Sequence, residues 1–320
     1  MNIYWASREG ILPPEDARFS CIPFEKDAAL PFDFTAPQAR VKTLPPPAAA
    51  TVVKRSYLPE KSEWVSSVKS ALSLGMPKVV LARCQVLELA NRPDPFALTA
   101  ALQERSKASY VFCFSQGDAA FFGASPERLF YRQGERVYSE AMAGTRPRGK
   151  TLEEDDRLGE ELLESGKDFR ELLPVRQFLE EALSPFCEGP LDFSPVSLHK
   201  TQNVQHLYSC CKAVLKNFGS GIDREILSKI HPTPALCGFP SDAAFSLIRK
   251  LEPFQRGLYG GALGWSSEGV SEWIVGIRSC LLLGSRAYLY SGTGIVAGSD
   301  PEEEWEELNQ KGRLYEGIFL

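Results

Sequence analysis

The chain is poor in the residues that advertise a metal cage or a covalent scaffold. It has three histidines in 320 residues. His206 and His231 have no metal-ligand spacing to each other, so core or turn histidines are the plain expectation. The eight cysteines are scattered with no CxxC pair, and adjacent Cys210-Cys211 is badly placed to staple distant segments. Most sit among apolar neighbours, as Cys113 does in Val111-Phe112-Cys113-Phe114, so buried reduced thiols in a cytoplasmic protein are expected. No apolar run reaches membrane-spanning length, and Met1 to Gly10 lacks the charged-then-apolar plan of a signal peptide. A net charge of −5, with no basic stripe among aromatics, excludes an electrostatic footprint for nucleic acid. No internal repeat and no clean linker after Arg55 is visible. What the chain does have is 43% apolar residues, enough for one large core or two modest ones.

Residues 1–55 carry little periodicity, and Pro13-Pro14 and Pro45-Pro46-Pro47 mark turns and an extended connector. From Glu60 the pattern sharpens. It predicts helices over 60–74, Leu152–Ser165, Asp168–Leu183, Asp223–Ile230 and Ser241–Leu251. A helix start near Leu172 would put Pro174 in the first turns, where it disturbs least. Strands are predicted at Lys78–Leu89, Ser109–Ser115, Ala119–Gly123, Arg128–Tyr131 and Val137–Met142. Val196–Leu215 reads as one long strand or a strand running into a helix. Leu258–Trp265, Ser271–Leu283 and Ala287–Ser291 form a later meander. Hairpin strands broken by groups of helices point to an α+β fold with mainly antiparallel sheets.

Near the C-terminus, Ser299 or Asp300 can cap a helix whose first position suits Pro301. On that helix Glu304, Glu307 and Lys311 share one face, and two carboxylates followed by a lysine can hold a divalent cation beside an anion. An acidic helix start favoured by the macrodipole is the plain alternative. Gly292-Thr-Gly294-Ile-Val-Ala297 lies between a predicted strand and this helix and formally matches a dinucleotide fingerprint. The chain ends too soon for a βαβ unit, which leaves a tight turn or an anion-binding glycine loop. Glu127, in Ser125-Pro126-Glu127-Arg128, can serve as a general acid or be solvated charge. Lys78 opens an apolar strand, where it either snorkels or loses its proton through burial and acts as a base. Ala143-Gly144-Thr145-Arg146-Pro147-Arg148-Gly149 is a basic loop or a carboxylate clamp. Glu171 is one acid among many on a charged helix.

Taken in order, these segments resemble the chorismate-utilising enzyme family, closest to its isochorismate synthases. The resembling blocks are Lys78-Val-Val-Leu-Ala-Arg83, Ser125-Pro-Glu-Arg-Leu129, Glu140-Ala-Met-Ala-Gly-Thr-Arg-Pro-Arg-Gly149 and Lys167-Asp-Phe-Arg-Glu171. They continue through His231-Pro-Thr-Pro-Ala-Leu-Cys-Gly-Phe-Pro240, Arg256-Gly-Leu-Tyr-Gly-Gly261, Gly276-Ile-Arg-Ser279 and the run from Ser291 to Lys311. The resemblance implies two large, mainly antiparallel β-sheets packed together with helices outside. Residues 56–320 would form the chorismate-binding catalytic domain, and an abbreviated, irregular segment 1–55 would contribute to the sheet. It also implies a Mg2+ site at Glu171, Glu304 and Glu307. Chorismate contacts would come from Gly144, Thr145, His206, Tyr259, Arg278, Gly292, Gly294 and Lys311. Lys78 would activate water for attack at C2, and Glu127 would protonate the departing C4 hydroxyl.

Positions 143 and 78, and more weakly 235, separate the branches of the family. Aminodeoxychorismate synthases carry lysine where this chain has Ala143. Anthranilate synthases lack the lysine found here at position 78 and use ammonia. Salicylate synthases share Lys78 but carry threonine near Ala235. The resemblance therefore implies a cytoplasmic, Mg2+-dependent isochorismate synthase serving menaquinone, siderophore or salicylate formation, with no obligate glutaminase subunit. A salicylate synthase, or a catalytically weak homologue that binds chorismate, are the competing expectations.

Overall fold

Two consecutive hairpins in the middle of the chain belong to different sheets. Tyr110–Gln116 pairs with Ala119–Ser125, and Arg128–Gln133 pairs with Arg136–Pro147. The later half repeats the plan in reverse, with Ala262–Ser267 against Val270–Val275 and then Ser279–Leu283 against Arg286–Ile295. Ala119–Ser125 lies beside Ser279–Leu283 in one sheet, and Arg128–Gln133 beside Val270–Val275 in the other. The chain thus crosses between the sheets at Pro126-Glu127 and again at Gly276-Ile277-Arg278. The crossings are tied together: Val275 N donates to Glu127 O at 3.1 Å and Ala124 N to Arg278 O at 3.0 Å.

The computed structural model describes every residue except 202, 203, 220, 316 and 320. Among the described residues the first sheet has nine strands and the second eight. Every strand ladder among them is antiparallel except that of Asn2–Ala6 with Ala39–Arg40. The fold is α+β, as the hairpin pattern predicted. The aperiodic first 55 residues still place a strand in each sheet: Asn2–Ala6 on Tyr110–Gln116, and Arg18–Ile22 on Ala262–Ser267.

Between the sheets, Trp5, Phe112, Phe114 and Phe121 of the first meet Phe19, Leu263, Trp265 and Ile274 of the second. Each fully buried side chain of this kind contributes roughly 1.5–3 kcal/mol relative to exposure. Helix Pro95–Arg105 lays Leu98 and Leu102 over the outer face of the first sheet, against Leu87, Phe122 and Leu282. Helices Leu152–Glu164 and Gly166–Leu183 cover the second through Leu162, Leu172 and Leu179. Their starts are capped by side chains: Asp94 accepts from Phe96 N, Thr151 from Glu154 N and Ser165 from Asp168 N. Among the described residues no helix is long and apolar enough to cross a membrane.

Several expectations change. The Ser165 cap starts its helix at Gly166, two residues before the predicted Asp168 and well before the Leu172 start that would have suited Pro174, so Pro174 sits in the helix interior. The extra turns carry Lys167, Asp168 and Glu171 toward the second sheet. Val196–Leu215 is a hairpin of Ser197–Lys200 and Val204–Leu215, although positions 202 and 203 of the predicted strand lie outside the described residues. Leu258–Trp265 begins with a turn, and its strand starts at Ala262. Ser271–Leu283 is two strands in two sheets. Its apolar run looks continuous because both halves are buried. Finally, Gly292 and Gly294 lie within the last four residues of strand Arg286–Ile295, laddered onto Ala82 and Val80. They form no glycine loop, which removes the dinucleotide reading.

Candidate active site

The two crossings and the strand ends beside them surround a cavity of about 200 Å³. Lys78, Glu127, Gly144, Thr145, Glu171, His206, Tyr259, Arg278, Gly292, Gly294, Glu304, Glu307 and Lys311 all line it. The first sheet brings Lys78, Gly292 and Gly294, and the second brings Gly144, Thr145 and His206. Glu127 and Arg278 come from the crossings themselves. Arg278 has φ of +48°, the one non-glycine among the described residues with positive φ. Such a backbone persists only where its surroundings hold it, here by the bond from Ala124 to its carbonyl.

Two glycines are required by close approach. Gly144 has φ of +65°, and a Cβ there would stand 2.8 Å from the Asp168 side chain. At Gly292 a Cβ would stand 2.6 Å from the Tyr259 hydroxyl. Tyr259 in turn stacks on Tyr290, with ring centroids 5.1 Å apart.

Burial sets the protonation of the cavity. It pushes the Glu127 carboxyl up to about 7, with the Glu140 charge adding and Lys78 opposing. Burial lowers Lys78 from the usual lysine range, against the pull of Glu171, whose Oε2 lies 3.9 Å from Nζ. Burial also raises Glu171 despite Lys78. His206 is driven by burial down to about 4 and is neutral. Its Nδ1 lies 2.8 Å from the Gly144 carbonyl, which can only accept, so Nδ1 carries the proton. Nε2 is left as a buried acceptor with no protein partner among the described residues.

Helix Pro301–Gly312 seals one side. Asp300 caps it, accepting from Glu302 N and Glu303 N, with Pro301 at the first position. Lys311 Nζ bonds the Gly292 carbonyl at 2.7 Å and Glu307 Oε1 at 2.5 Å, and the Lys311 carbonyl accepts from Arg278 at 3.1 Å. Burial works against an ionised Glu307, but Lys311 and Thr293 outweigh it and hold that carboxyl low. Glu304 is buried and accepts from the Thr293 hydroxyl at 2.5 Å. Among the described residues no three acidic, histidine or cysteine side chains converge closely enough to cage a metal unaided. The donors nevertheless fit Mg2+ in kind, since that ion prefers carboxylate oxygens, keeps several waters and takes ligand oxygens.

Sequence reasoning did not single out Tyr290, Lys167, Asp168 or Arg256, which also line the cavity. Arg146 belongs to the segment read as a basic loop or a carboxylate clamp; it reaches the cavity while pairing with Asp168 at 2.9 Å. Arg256 and Lys167-Asp168 stood inside quoted motifs, whereas nothing local marks Tyr290.

The chorismate binding enzyme profile matches residues 33–314. Isochorismate synthase 2 of Arabidopsis thaliana, a chloroplastic protein, is 40% identical over 268 residues, 81% of this chain and 47% of that one. Isochorismate synthase MenF of Bacillus subtilis is 38% identical over 258 residues, 79% of this chain and 54% of that one. The chain thus spans about half the length of these curated relatives. Among solved structures, MenF of Escherichia coli, described as a menaquinone-specific isochorismate synthase, superposes with a TM-score of 0.80 at 33% identity. That match covers 84% of this chain and 63% of that one. The sheet-crossing architecture, the cavity it frames and a profile match over most of the sequence agree: the chain belongs to the chorismate binding enzyme family.

Proposed function

We propose that the protein is an isochorismate synthase, converting chorismate to isochorismate by adding water at C2 and expelling the C4 hydroxyl as both ring double bonds shift, C1=C2 to C1=C6 and C5=C6 to C4=C5. The observation that carries this is a buried lysine and a buried glutamic acid on one cavity, displaced in opposite directions. One physical cause serves both, because burial disfavours charge on either group. Lys78 gains neutral amine and can accept a proton from water, while Glu127 keeps its proton near neutral pH and can donate it to the leaving hydroxyl. One proton is taken and one given, so the exchange is balanced and reversible.

Arg278 and Lys311 supply positive charge for the carboxylates of chorismate. His206 Nε2 offers an acceptor to a ligand hydroxyl, and the Tyr259 hydroxyl and the Thr145 side chain line the remaining wall. Glu171, Glu304 and Glu307 would hold Mg2+, which would supply a Lewis-acid charge beside a ligand carboxylate. Water as the nucleophile makes a glutaminase subunit unnecessary, and a small dissolved substrate suits a cytoplasmic enzyme.

Incubating purified protein with chorismate and Mg2+ and separating the products tests the assignment. Isochorismate is expected, with the signal lost on chelation and restored by Mg2+. Salicylate and pyruvate appearing together without an added lyase would transfer the protein to the salicylate branch. Anthranilate alone, formed only when ammonia is supplied, would overturn the assignment.

A further inference from the structure

Behind Glu127 the charges continue into a buried cluster that the chemistry above does not use. Arg8 follows the N-terminal strand Asn2–Ala6. Its Nη1 donates to the Pro126 carbonyl at 2.9 Å and its Nη2 to Glu140 Oε1 at 2.6 Å. Arg128 Nη1 approaches the same Glu140 oxygen at 3.4 Å, while its Nη2 pairs with Glu9 at 2.6 Å and lies 3.8 Å from Glu272. Both chain neighbours of Glu127 are therefore tied into one cluster, Pro126 through its carbonyl and Arg128 through its guanidinium. Two guanidiniums serve three carboxylates (Glu9, Glu140 and Glu272).

We propose that Arg8 and Glu140 are positioning residues for Glu127: Arg8 fixes the first sheet crossing through the Pro126 carbonyl, and Glu140 holds a negative charge behind the acid. This rests on Glu127 being the proton donor of the preceding section. Glu127 is faced by Lys78 from strand Lys78–Leu89, by Tyr259 from the turn before Ala262 and by Glu140 from strand Arg136–Pro147. Glu140 in turn is faced by Arg8, Arg128, Tyr110, Tyr208 and His199. Of the charges facing Glu127, Glu140 opposes its ionisation and Lys78 favours it. The pair thus ties the N-terminal segment, which lines no part of the cavity, to the acid side of the reaction.

The test reads Glu127 directly. A carbon-13 titration of glutamate side chains identifies its resonance by disappearance in Glu127→Gln, and the midpoint is compared between wild type and Glu140→Gln. The expected result is a midpoint lowered by about 1 pH unit, as removal of a nearby like charge requires. Glu140→Asp, which keeps the charge, should stay near the wild-type value. A midpoint unmoved in Glu140→Gln overturns the role of Glu140. For Arg8, the expected result with chorismate is a roughly tenfold fall in kcat at nearly constant KM in Arg8→Met, partly restored in Arg8→Lys. Unchanged kcat, or equal losses in both constants with no recovery, overturns its role. Should wild type form no isochorismate, the assigned reaction fails, while the midpoint comparison still decides the electrostatic proposal.

Discussion

Strand Lys78–Leu89 carries two buried charge systems a few residues apart, and they are built in opposite ways. At its start, Lys78 has among the described residues an acid partner no nearer than Glu171 at 3.9 Å. Alongside Val80–Ala82, Arg256 and Glu252 are saturated. Arg256 gives two bonds to Glu252, one to Leu236 O at 2.8 Å and one to Val80 O at 2.7 Å, and Glu252 accepts from Ala82 N at 2.7 Å. The strand Gly238–Phe239 covers this edge only as far as Val79, and Val52–Leu58 takes over at Cys84. The ion pair fills the gap, standing in for backbone that is not there. The difference separates two uses of buried charge. A complete hydrogen-bond set fixes architecture, and an incomplete one leaves a group free to exchange a proton.

The largest effect is expected from opening the closed system. Arg256→Met leaves Glu252 buried without its partner and Val80 O unpaired, so denaturant unfolding should show a loss of about 3–5 kcal/mol. A loss below about 1 kcal/mol would erase the contrast. At the open system the outcome reverses. Lys78→Met should reduce the proposed isochorismate formation by about 10²–10⁴-fold while the melting temperature holds or rises, because a poorly compensated amine is removed from the interior. A melting temperature that falls as in Arg256→Met would show that Lys78 is architectural after all.

The smallest effect sharpens the comparison through pH. The folded value of Glu127, about 7, lies above the usual carboxyl value of 4.5. The folded state therefore holds this proton more tightly than the unfolded state. That contribution to stability is full below pH 4.5 and fades as pH rises through 7. Glu127→Gln carries no such dependence. Its stability relative to wild type should grow by about 2–3 kcal/mol between pH 4 and pH 8, measured by urea unfolding at both. A constant difference would mean that the carboxyl ionises as freely when folded as when unfolded.

Local chemistry made much of this legible. Lys78–Leu89 and Ser241–Leu251 have the predicted bounds, and the cap at Asp300 with Pro301 behind it starts the final helix. Long Val- and Leu-rich runs and capping residues act within a few positions, so one segment reveals them. The sheet crossing at Gly276-Ile277-Arg278 was illegible because burial on both sides erased any change of period. The duplicated hairpin pairs went unseen for a related reason: they share strand order, not residue identity. Pro174 misled because proline statistics favour a helix start, while the Ser165 cap governs. The candidate cavity residues could be named only through resemblance to a family, since Lys78, Glu127 and Glu304 are each ordinary in their own segment. What brings them to one wall is pairing between strands far apart in sequence.

The two crossings also set a folding order. Each of the four hairpins closes over two residues and can form early, but the cavity needs residue 80 beside residue 294 and residue 127 beside residue 275. Such distant closures come late, after the loop entropy between them has been overcome. A chain with every hairpin in place but its sheets undocked would hold most of its secondary structure and none of its cavity. Completion of the cavity in this architecture is therefore a late event of folding, set by the docking of two sheets rather than by the formation of any one element.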